Sequence, residues 1–535
     1  MIQQKARQFM IEKKKLKTDV LIIGGGVTGT GLARDLAFRG ISSIVLEKDM
    51  INSGASGRNH GLLHSGARYV SSDLVSAMEC KKEADILKKI APHCIEETGG
   101  LYVATRNDKE DYISLFPQLC KKAGIPCQKL TVQQALELEP RLSNEIVAAF
   151  RVEDASVDPF HISLENMNQA IEYGARYFSR CKVTKFITAS RFIQKVMAKD
   201  LLNKRLFEIE SNIVVNAAGA WAGEIAKLAG IHMSMIYSKG TLLITHNRIT
   251  NHVINRLRIP SDGDILVPGG TVSIFGTTSM RIDCLEKIRP SIEETDMLVK
   301  EAKAIVPALE NTRFIRAYAG VRPLIGEEGS DQSSSGDDRS VSRGFVLMDH
   351  EAQKIDNFIT ITGGKMTTFR LMAEKTANLV AKKLKNTKEC RTAGKPLLSK
   401  APSQMTEAGM SFRIWAKKGE KDDITMCECE MISKNQFKQL ISWLKKNKNK
   451  ADLNALRIHS RLGKGACQGT FCCQRVTGFM YDENYLKEDE GIYNIKDLLH
   501  ERFVGQRSVL WGDQLSQAEL CEALYCGFYG LELEK

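Results

Sequence analysis

The chain has 535 residues, of which 43% are hydrophobic, 26% are charged and 7% are aromatic, and its formal net charge is +12. This composition excludes a disordered, collagen-like or coiled-coil protein and indicates a globular chain of about two to four domains. The positive charge fits solvated helix faces or attraction to an anionic lipid surface. Because no nucleic-acid-binding signature accompanies it, a nucleic-acid partner is not expected.

The sequence gives no sign of export or of a membrane span. The first twenty residues are basic but contain no apolar core and no small-residue cleavage site. The longest apolar runs, such as Val20–Ile23, fall far short of the ~18–20 residues that cross a bilayer. We therefore expect a cytosolic protein or one bound peripherally to the cytoplasmic face of the cell membrane. Thiols stay reduced there, so clustered cysteines indicate metal or redox chemistry.

Residues 19–47 predict a nucleotide-binding unit made of a strand, a helix and a second strand. Gly24, Gly26 and Gly29 lie at the first turn, where glycines permit a tight turn, close approach of a pyrophosphate and packing of the helix on the strand. The helix N-terminus offers unpaired N–H groups to the phosphates. Glu47 ends the second strand, where a carboxylate would accept hydrogen bonds from a ribose. A purely structural glycine-rich turn is the alternative.

Two further segments favour FAD over NAD. Residues 50–69 are rich in glycine and serine, which suits a loop that wraps around a cofactor. Residues 358–361 are predicted as a strand that runs into two glycines and a long helix, more than 300 residues after the first such junction. Two glycine-rich helix N-termini so far apart can hold the two ends of one long cofactor. The other cofactor-binding candidates lie in these segments and after the strand at 213–216: Ser53, Gly57, Ser65, Gly219, Gly363 and Gly364.

Seven of the fourteen cysteines lie after residue 420, and four of them predict a metal centre. Cys427 and Cys429 form one close pair, and Cys467 and Cys472 form another after 37 intervening residues. Four thiolates in two pairs can hold an iron–sulfur cluster, and nearby glycines let backbone N–H groups turn towards the sulfurs. A structural zinc site fits the first pair less well, because zinc-binding cysteine pairs usually have two to four residues between them and this pair has only one. Unligated thiols are the remaining alternative.

The other late cysteines are not predicted as ligands. Cys473 is a neighbour that could replace Cys472. Cys521 and Cys526 are five residues apart on an apparent helix and do not share a face, so we expect them to pack in the core.

These motifs together resemble the FAD-dependent glycerol-3-phosphate dehydrogenase family. The resemblance rests on the string Gly57–Tyr69 and on short motifs at 158–160, 215–219, 320–324, 341–344 and 363–365. The cysteine region resembles the bacterioferritin-associated-ferredoxin-like module. That combination is similar to the anaerobic branch of the family, since the aerobic single-subunit members lack the cysteine module.

The resemblance implies an α/β fold. It implies a doubly wound FAD-binding domain of the D-amino-acid oxidase type, interleaved with an antiparallel substrate domain, over residues 17–390. A linker at 391–420, a small helical [2Fe–2S] domain at 421–480 and a helical segment at 481–535 would follow.

The resemblance also implies the reaction and the partners. The reaction is oxidation of sn-glycerol 3-phosphate to dihydroxyacetone phosphate by hydride transfer to FAD. The partners are two further subunits, a smaller flavoprotein and a membrane-anchoring iron–sulfur protein, which pass electrons to a quinone for fumarate or nitrate respiration. FMN is a further cofactor to consider in such a complex. An FAD-dependent amino-acid or opine dehydrogenase and a zinc-bound docking module are the alternatives.

The substrate's phosphate dianion needs cationic groups, and arginine binds phosphate oxygens bidentately. The phosphate-binding candidates are Arg68, Arg322 and Arg343, with Tyr69 and Lys365 assisting. A surface salt bridge is the alternative role for each arginine.

Removal of the hydroxyl proton needs a base, for which histidine is the usual residue. His64 is our candidate, with a structural or flavin-contacting histidine as the alternative, and Arg322 and Lys365 are the other catalytic candidates. Aerobic relatives carry a histidine two residues after a Lys-Gly dipeptide, where this chain has Leu242. Arg322 acting with a water is therefore a second route for the proton.

Overall fold

The computed structural model describes residues 13–202, 204–286, 288–326, 344–398, 423–446, 450–465 and 467–532. The strands, in chain order, are β1 (Lys13–Ile23), β2 (Ser43–Leu46), β3 (Leu62–Leu63), β4 (Ile95–Glu96), β5 (Gly100–Thr105), β6 (Gln128–Leu130), β7 (Ile146–Val152), β8 (Ala155–Val157), β9 (Arg176–Phe178), β10 (Cys181–Ala189), β11 (Phe192–Asp200), β12 (Leu206–Asn216), β13 (Met235–Thr245), β14 (Val253–Arg256), β15 (Ile265–Gly269), β16 (Val272–Gly276), β17 (Met280–Ile282), β18 (Phe314–Ile325), β19 (Phe345–Asp349), β20 (Phe358–Gly363), β21 (Thr425–Cys427) and β22 (Ile432–Ser433). The α-helices are α1 (Val27–Phe38), α2 (Leu74–Ile90), α3 (Glu110–Lys122), α4 (Val132–Leu138), α5 (Pro159–Glu172), α6 (Ala222–Lys227), α7 (Ile292–Ile305), α8 (Phe369–Lys383), α9 (Lys434–Lys446), α10 (Leu453–Ser460), α11 (Cys472–Asp482), α12 (Glu490–Gln506) and α13 (Gly512–Tyr529).

An eight-stranded sheet forms the first layer, with β1 near its middle. β1 pairs in parallel with β2 and β12, and β12 pairs in parallel with β20. One face packs against α1, α5 and α8, and the side chains on the other face pack with those of α6 and of the β10–β11 hairpin at the edge of the same sheet. Because both faces are covered, Val20–Ile23 is a continuous apolar run rather than an alternating one.

A nine-stranded sheet forms the second large layer. Its longest pairing joins β13 and β18 in antiparallel register from Met235–Ile325 to Thr245–Phe314. One pair, β5 with β14, is parallel and departs from the antiparallel expectation. The sheet's strands come from chain segments inserted between strands of the first sheet, and α7 packs against it. The mostly parallel sheet and the mostly antiparallel sheet are thus interleaved along the chain, as the sequence predicts for the two interleaved domains.

The C-terminal unit is mainly helical. α9, α10, α11 and α12 share one apolar core with the buried Cys427, Cys472 and Cys473. α12 therefore belongs to the same core as the cysteine region, although the sequence predicts a separate segment after residue 480. α13 has no buried residue, and Cys521 and Cys526 are only partly covered. The expectation that these two cysteines pack in the core is wrong.

Ion pairs join the C-terminal unit to the flavin domain. Arg461 binds both Asp158 and Glu430 at 3.1 Å, and Arg180 binds Asp452 at 2.8 Å. The cysteine-bearing unit thus sits on the N-terminus of α5, which Asp158 caps through the N–H groups of its first turn.

The start of the predicted linker lies on the flavin domain. Leu397 is buried and its N–H donates to the Ile90 carbonyl at 2.6 Å, while Arg34 donates to the Lys395 carbonyl at 2.9 Å. The rest of that prediction, from residue 399 to 420, falls outside the described residues. In the described part of the chain, no helix has the length and apolar character needed to cross a membrane.

Candidate active site

The first glycine-rich turn connects β1 to α1. Gly24 has a φ of +117°, and a Cβ on it would lie 2.4 Å from the Ala217 carbonyl oxygen. A Cβ on Gly29 would lie 2.0 Å from the Gly24 carbonyl oxygen, so the helix can approach the strand only without a side chain there. The Val27 N–H at the helix start donates to Ser56 Oγ at 3.0 Å, which ties the turn to the following loop.

Glu47 braces this turn. Its Oε2 accepts the Gly25 N–H at 2.7 Å and its Oε1 accepts the Asp49 N–H at 2.9 Å. Burial raises the pKa of the Glu47 carboxyl, although these two N–H groups oppose the rise. The carboxylate lies on the cavity wall described next, and its contact with a ribose stays a prediction.

A cavity of about 700 Å³ runs from the glycine turn to the β13–β18 pair. This volume is within the range of cofactor and substrate sites. Its lining brings together most of the predicted site residues: Gly24, Gly26, Glu47, Ser53, His64, Arg68, Tyr69, Gly219, Arg322, Gly363, Gly364 and Lys365.

Three predicted cofactor residues do not line the cavity but shape the segments around it. Gly29 packs against the turn as described above. A Cβ on Gly57 would lie 2.2 Å from the Asn52 carbonyl oxygen, and the Ser65 N–H donates to Asp154 Oδ1 at 2.7 Å. Arg343, a predicted phosphate ligand, lies outside the described residues.

The second glycine pair closes one side of the cavity. Gly363 and Gly364 have φ values of +80° and +71°, which place the chain in the left-handed region just before α8. The Thr362 hydroxyl donates to the Gly219 carbonyl at 3.0 Å. The glycine-containing ends of β12 and β20 are therefore joined side by side, as expected for neighbouring parallel strands.

Arg322 enters the cavity from β18 and is held by the facing strand. Its Nη1 donates to Ser238 Oγ at 3.3 Å and its Nη2 donates to the Thr278 carbonyl at 3.0 Å. A Cβ on Gly240 would lie 2.6 Å from Arg322 Nη2, so the missing side chain leaves room for the guanidinium. Leu242, two residues on, also lines the cavity where aerobic relatives are expected to carry a histidine.

Arg68 is a largely but not fully buried cation on the same cavity. Its Nη2 binds Asp264 Oδ2 at 2.9 Å, and Asp264 also binds Arg258 at 2.8 Å. Burial disfavours the Arg68 charge, but the Asp264 carboxylate outweighs it and holds the pKa of Arg68 above its ordinary value. Arg68 is thus a paired arginine, but the pair is buried rather than on the surface.

His64, Tyr69 and Lys365 form one contiguous group. The Tyr69 hydroxyl lies 3.4 Å from His64 Nε2, and the His64 N–H donates to Thr367 Oγ1 at 3.0 Å. Lys365 Nζ lies 4.5 Å from the centre of the Tyr69 ring and donates to Ser76 Oγ at 3.0 Å. The two predicted segments, one in the flavin loop and one before α8, meet here.

The sequence did not single out His60, which the structure places on the cavity wall. Burial, together with the nearby positive charges of Arg68 and Arg322, lowers the pKa of His60 to about 3. His60 is therefore neutral at physiological pH. The available signal was its position four residues before His64 in the same Gly/Ser-rich loop.

The four predicted cysteine ligands also come together. The Cys472 thiol faces both Cys427 and Cys467, and the Cys429 thiol faces Cys467. These thiols, followed by two backbone N–H groups, lower the pKa of Cys467 to about 5. The pKa of Cys472 is raised, chiefly by its hydrogen bonds to Cys427 and Cys467.

Backbone N–H groups in the glycine-containing loops donate hydrogen bonds to these sulfurs. The N–H groups of Glu430 and Gly463 point at Cys427, and those of Gly469 and Phe471 point at Cys467. A Cβ on Gly465 would lie 2.3 Å from the Cβ of Cys429, so the close approach of the two loops requires glycine. The site has the N–H donors that stabilise thiolates.

Comparison with known proteins shows which family this chain resembles. The model of the FAD dependent oxidoreductase family matches residues 19–379. An anaerobic glycerol-3-phosphate dehydrogenase subunit of Escherichia coli K12 is 40% identical over 539 residues, which cover 97% of this chain and 98% of that protein. The protein of the same name from Haemophilus influenzae is 41% identical over 537 residues, covering 96% and 94%.

A solved structure agrees in fold. The crystal structure of glycerol-3-phosphate dehydrogenase from Bacillus halodurans, complexed with FAD, superposes with a TM-score of 0.64 at 21% identity and covers 93% of this chain and 97% of that one. The chain therefore belongs to the FAD dependent oxidoreductase family and, within it, to the anaerobic glycerol-3-phosphate dehydrogenase subunits that carry this flavin domain.

Proposed function

We propose that this chain oxidises sn-glycerol 3-phosphate to dihydroxyacetone phosphate and passes the electrons through an iron–sulfur centre to a quinone. The observation that carries the substrate assignment is that Arg322, Arg68 and Lys365 all line the cavity, with Arg68 and Arg322 both near His60 and Lys365 beside the Tyr69 ring. The names of the relatives at 40–41% identity support the same substrate.

The residues present fit FAD. The glycine turn leaves no room for side chains and leads directly into α1, and the cavity joins it to the left-handed Gly363-Gly364 turn five residues before α8. Glu47 stands beside the turn as the carboxylate for a ribose. When bound, FAD supplies the hydride acceptor for the C2 hydrogen of the substrate.

The phosphate is held by the arginines in this proposal. Arg322 presents a planar fork whose Nη1 donates to Ser238 and whose Nη2 donates to the Thr278 carbonyl and the Thr277 hydroxyl. A phosphate would displace the Thr277 hydroxyl, so that Nη1 and Nη2 each offer one N–H to a phosphate oxygen. Arg68 keeps its charge through Asp264, and Lys365 adds a third cation above the Tyr69 ring. Three cations on the wall of one cavity balance a dianion.

His64 is the proposed base for the C2 hydroxyl. One ring nitrogen takes the proton, and the Tyr69 hydroxyl, 3.4 Å from Nε2, helps to hold the ring in place. His60 is a weaker candidate, because a pKa of about 3 makes it a poor proton acceptor near neutral pH.

Anaerobic reduction of the bound flavin tests the substrate. We expect glycerol 3-phosphate to bleach the flavin absorbance within one turnover, while D-amino acids and opines leave it unchanged. Bleaching by an amino acid and not by glycerol 3-phosphate would instead establish the amino-acid or opine dehydrogenase alternative.

For the cysteine set we propose a [2Fe–2S] cluster held by Cys427, Cys429, Cys467 and Cys472. Four thiolates on one tetrahedral zinc lie about 3.8 Å from one another. In the described ranges, no three cysteine sulfurs lie within 4.8 Å of each other; the contacts run in series from Cys427 through Cys472 and Cys467 to Cys429. This elongated set suits two bridged irons better than a single zinc.

Metal and sulfide analysis of anaerobically purified protein tests the cluster. We expect two irons and two labile sulfides per chain. One zinc and no iron would contradict the electron-transfer proposal and favour the docking-module alternative.

We also propose two partner proteins, a smaller flavoprotein and a membrane-anchoring iron–sulfur protein, which would hold the chain at the cytoplasmic face of the membrane. The relatives at 40–41% identity are each named as one subunit of their enzyme, which supports a complex. Leu520, Leu524 and Phe528 follow one face of α13 and are 60%, 62% and 86% exposed. Because Glu519 and Glu522 flank them, a protein partner suits this face better than anionic lipid.

Co-purification tests the docking face. With the two partner proteins co-expressed, Leu524→Asp combined with Phe528→Asp should abolish their recovery with this chain. Full recovery with the double variant, or tight binding of the lone chain to anionic vesicles, would contradict this use of α13.

A further inference from the structure

A second group of metal-binding side chains lies outside both sites described above. His93 and Cys94 come from the short turn Pro92–Cys94, and His161 comes from the first turn of α5. One ligand atom from each of the three lies within 4.8 Å of the others. Cys94 and His161 are buried, so these groups are not solvated on a surface.

The chain holds this group firmly. The Asp158 N–H donates to the Cys94 carbonyl at 2.9 Å, which fixes the turn against the start of α5. The Asp158 carboxylate accepts the His161 N–H at 3.0 Å and so sets the first turn of the helix. The rings of His93 and His161 meet edge to face with centroids 5.2 Å apart.

A buried carboxylate stands next to the group. Glu165 lies one helical turn after His161, and its Oε1 is 3.5 Å from His161 Nε2. Its Oε2 is buried and has no hydrogen-bond partner among the residues that the structure describes. A buried carboxylate oxygen without a hydrogen bond is costly unless a cation balances it.

We propose that His93, Cys94, His161 and Glu165 bind one zinc-class divalent cation. Two imidazole nitrogens, one thiolate and one carboxylate form a donor set that tetrahedral Zn²⁺ accepts, with bonds of about 2.0–2.3 Å. Such bonds place neighbouring ligand atoms about 3.3–3.8 Å apart, so His93, Cys94 and His161 need only small side-chain shifts. Glu165, whose Oε1 contacts His161 at 3.5 Å, must turn further towards the other two ligands to complete the set. On binding, the Cys94 thiol releases its proton to solvent and the sulfur becomes the ligand.

The site has a structural role in this proposal. It fastens the turn at 92–94 to the start of α5, where Arg461 of the C-terminal unit binds Asp158 at 3.1 Å. His459 of that unit lies near His161, close enough for their charges to interact. A cation here would thus stiffen the surface on which the cysteine-bearing unit docks.

The test is metal analysis of the full chain, purified anaerobically with FAD and the C-terminal iron centre loaded and then equilibrated with Zn²⁺. Wild type should retain about one zinc per chain, whereas Cys94→Ser and His161→Gln should retain less than a tenth of that. Cys284→Ser, which changes an exposed cysteine, is the matched control and should retain all of it. Flavin absorbance reports whether each variant is folded.

Zinc-edge X-ray absorption on the wild type needs no variant. One sulfur at about 2.3 Å with two or three nitrogen or oxygen neighbours at about 2.0–2.1 Å supports the site. Four sulfur neighbours would place the zinc at the C-terminal cysteines and overturn the proposal. Absence of zinc from the wild type, or full retention in flavin-loaded Cys94→Ser, would overturn it as well.

Discussion

Replacing Arg322 by alanine should reduce kcat/KM for glycerol 3-phosphate by about 10²–10⁴, mainly through KM. The guanidinium is proposed to donate two charge-assisted hydrogen bonds to the phosphate, each worth about 1.5–3 kcal/mol. Together they amount to about 3–6 kcal/mol, and each 1.4 kcal/mol corresponds to a factor of ten. The assay is anaerobic dye reduction over a range of substrate concentrations, with FAD content measured for every preparation.

Two other variants distinguish the effect of the Arg322 charge from the effect of its position and shape. Arg322→Lys keeps the charge but loses the fork, so we expect a loss of about 10–100-fold. Gly240→Ala keeps the arginine, but the new Cβ would lie 2.6 Å from Nη2 and push the guanidinium out of place. That variant should reproduce part of the Arg322→Ala defect while the residue itself is unchanged.

Glycerol is the discriminating substrate because it lacks the phosphate. Wild type and Arg322→Ala should use it equally poorly, since the contact removed has no partner on glycerol. Arg248→Ala is the matched control, because Arg248 pairs with Glu96 at 2.7 Å and does not line the cavity. A KM within twofold of wild type in FAD-loaded Arg322→Ala would refute the phosphate assignment.

Three further changes test the cofactor sites and the charge of the cavity. Gly29→Ala should abolish FAD retention, measured by absorbance after gel filtration, because its Cβ would lie 2.0 Å from the Gly24 carbonyl oxygen. Cys467→Ser should lose at least nine-tenths of the iron while FAD content stays at the wild-type level. The pKa of His60 in the folded chain is about 3, against an ordinary value of 6.5. Between these two values the unfolded chain binds a proton that the folded chain does not, so the free energy of unfolding falls as the pH drops from 6.5 towards 3. In urea unfolding of the FAD-free chain, the free energy of unfolding should therefore fall between pH 7 and pH 5 by about 1–2 kcal/mol less for His60→Gln than for wild type.

The parts of the site that sequence predicts best are local. The strand, the glycine turn, the helix and Glu47 follow one another within thirty residues, and each has a backbone reason to be there. Each close cysteine pair is also local in sequence, but Cys427 faces Cys472 and Cys429 faces Cys467, so the meeting of the two pairs depends on the fold. Short-range geometry alone is enough to predict the glycine turn.

Non-local contacts explain what could not be predicted. The room for Arg322 depends on Gly240, eighty-two residues away, and on a strand register that no sequence pattern specifies. The pKa of His60 is low first because the fold buries the ring, and then because Arg68 of the same loop and the distant Arg322 bring positive charges near it. The prediction for Cys521 is wrong because the spacing of apolar residues on α13 does not reveal whether another part of the chain covers them.

The flavin cavity and the cysteine set are linked by packed side chains. The loop that carries Ser53 on the cavity wall turns at Gly57, where a Cβ would lie 2.8 Å from the ring of Phe160. The Lys464 amine lies 4.0 Å from the centre of that ring, and Lys464 precedes the proposed ligand Cys467 by three residues. The ion pair between Arg461 and Asp158 also holds the C-terminal unit against the start of α5, two residues before Phe160. Since electron transfer weakens steeply with distance, a fixed contact of this kind is what a chain needs if it must pass electrons from its own flavin to its own cysteine-bound centre.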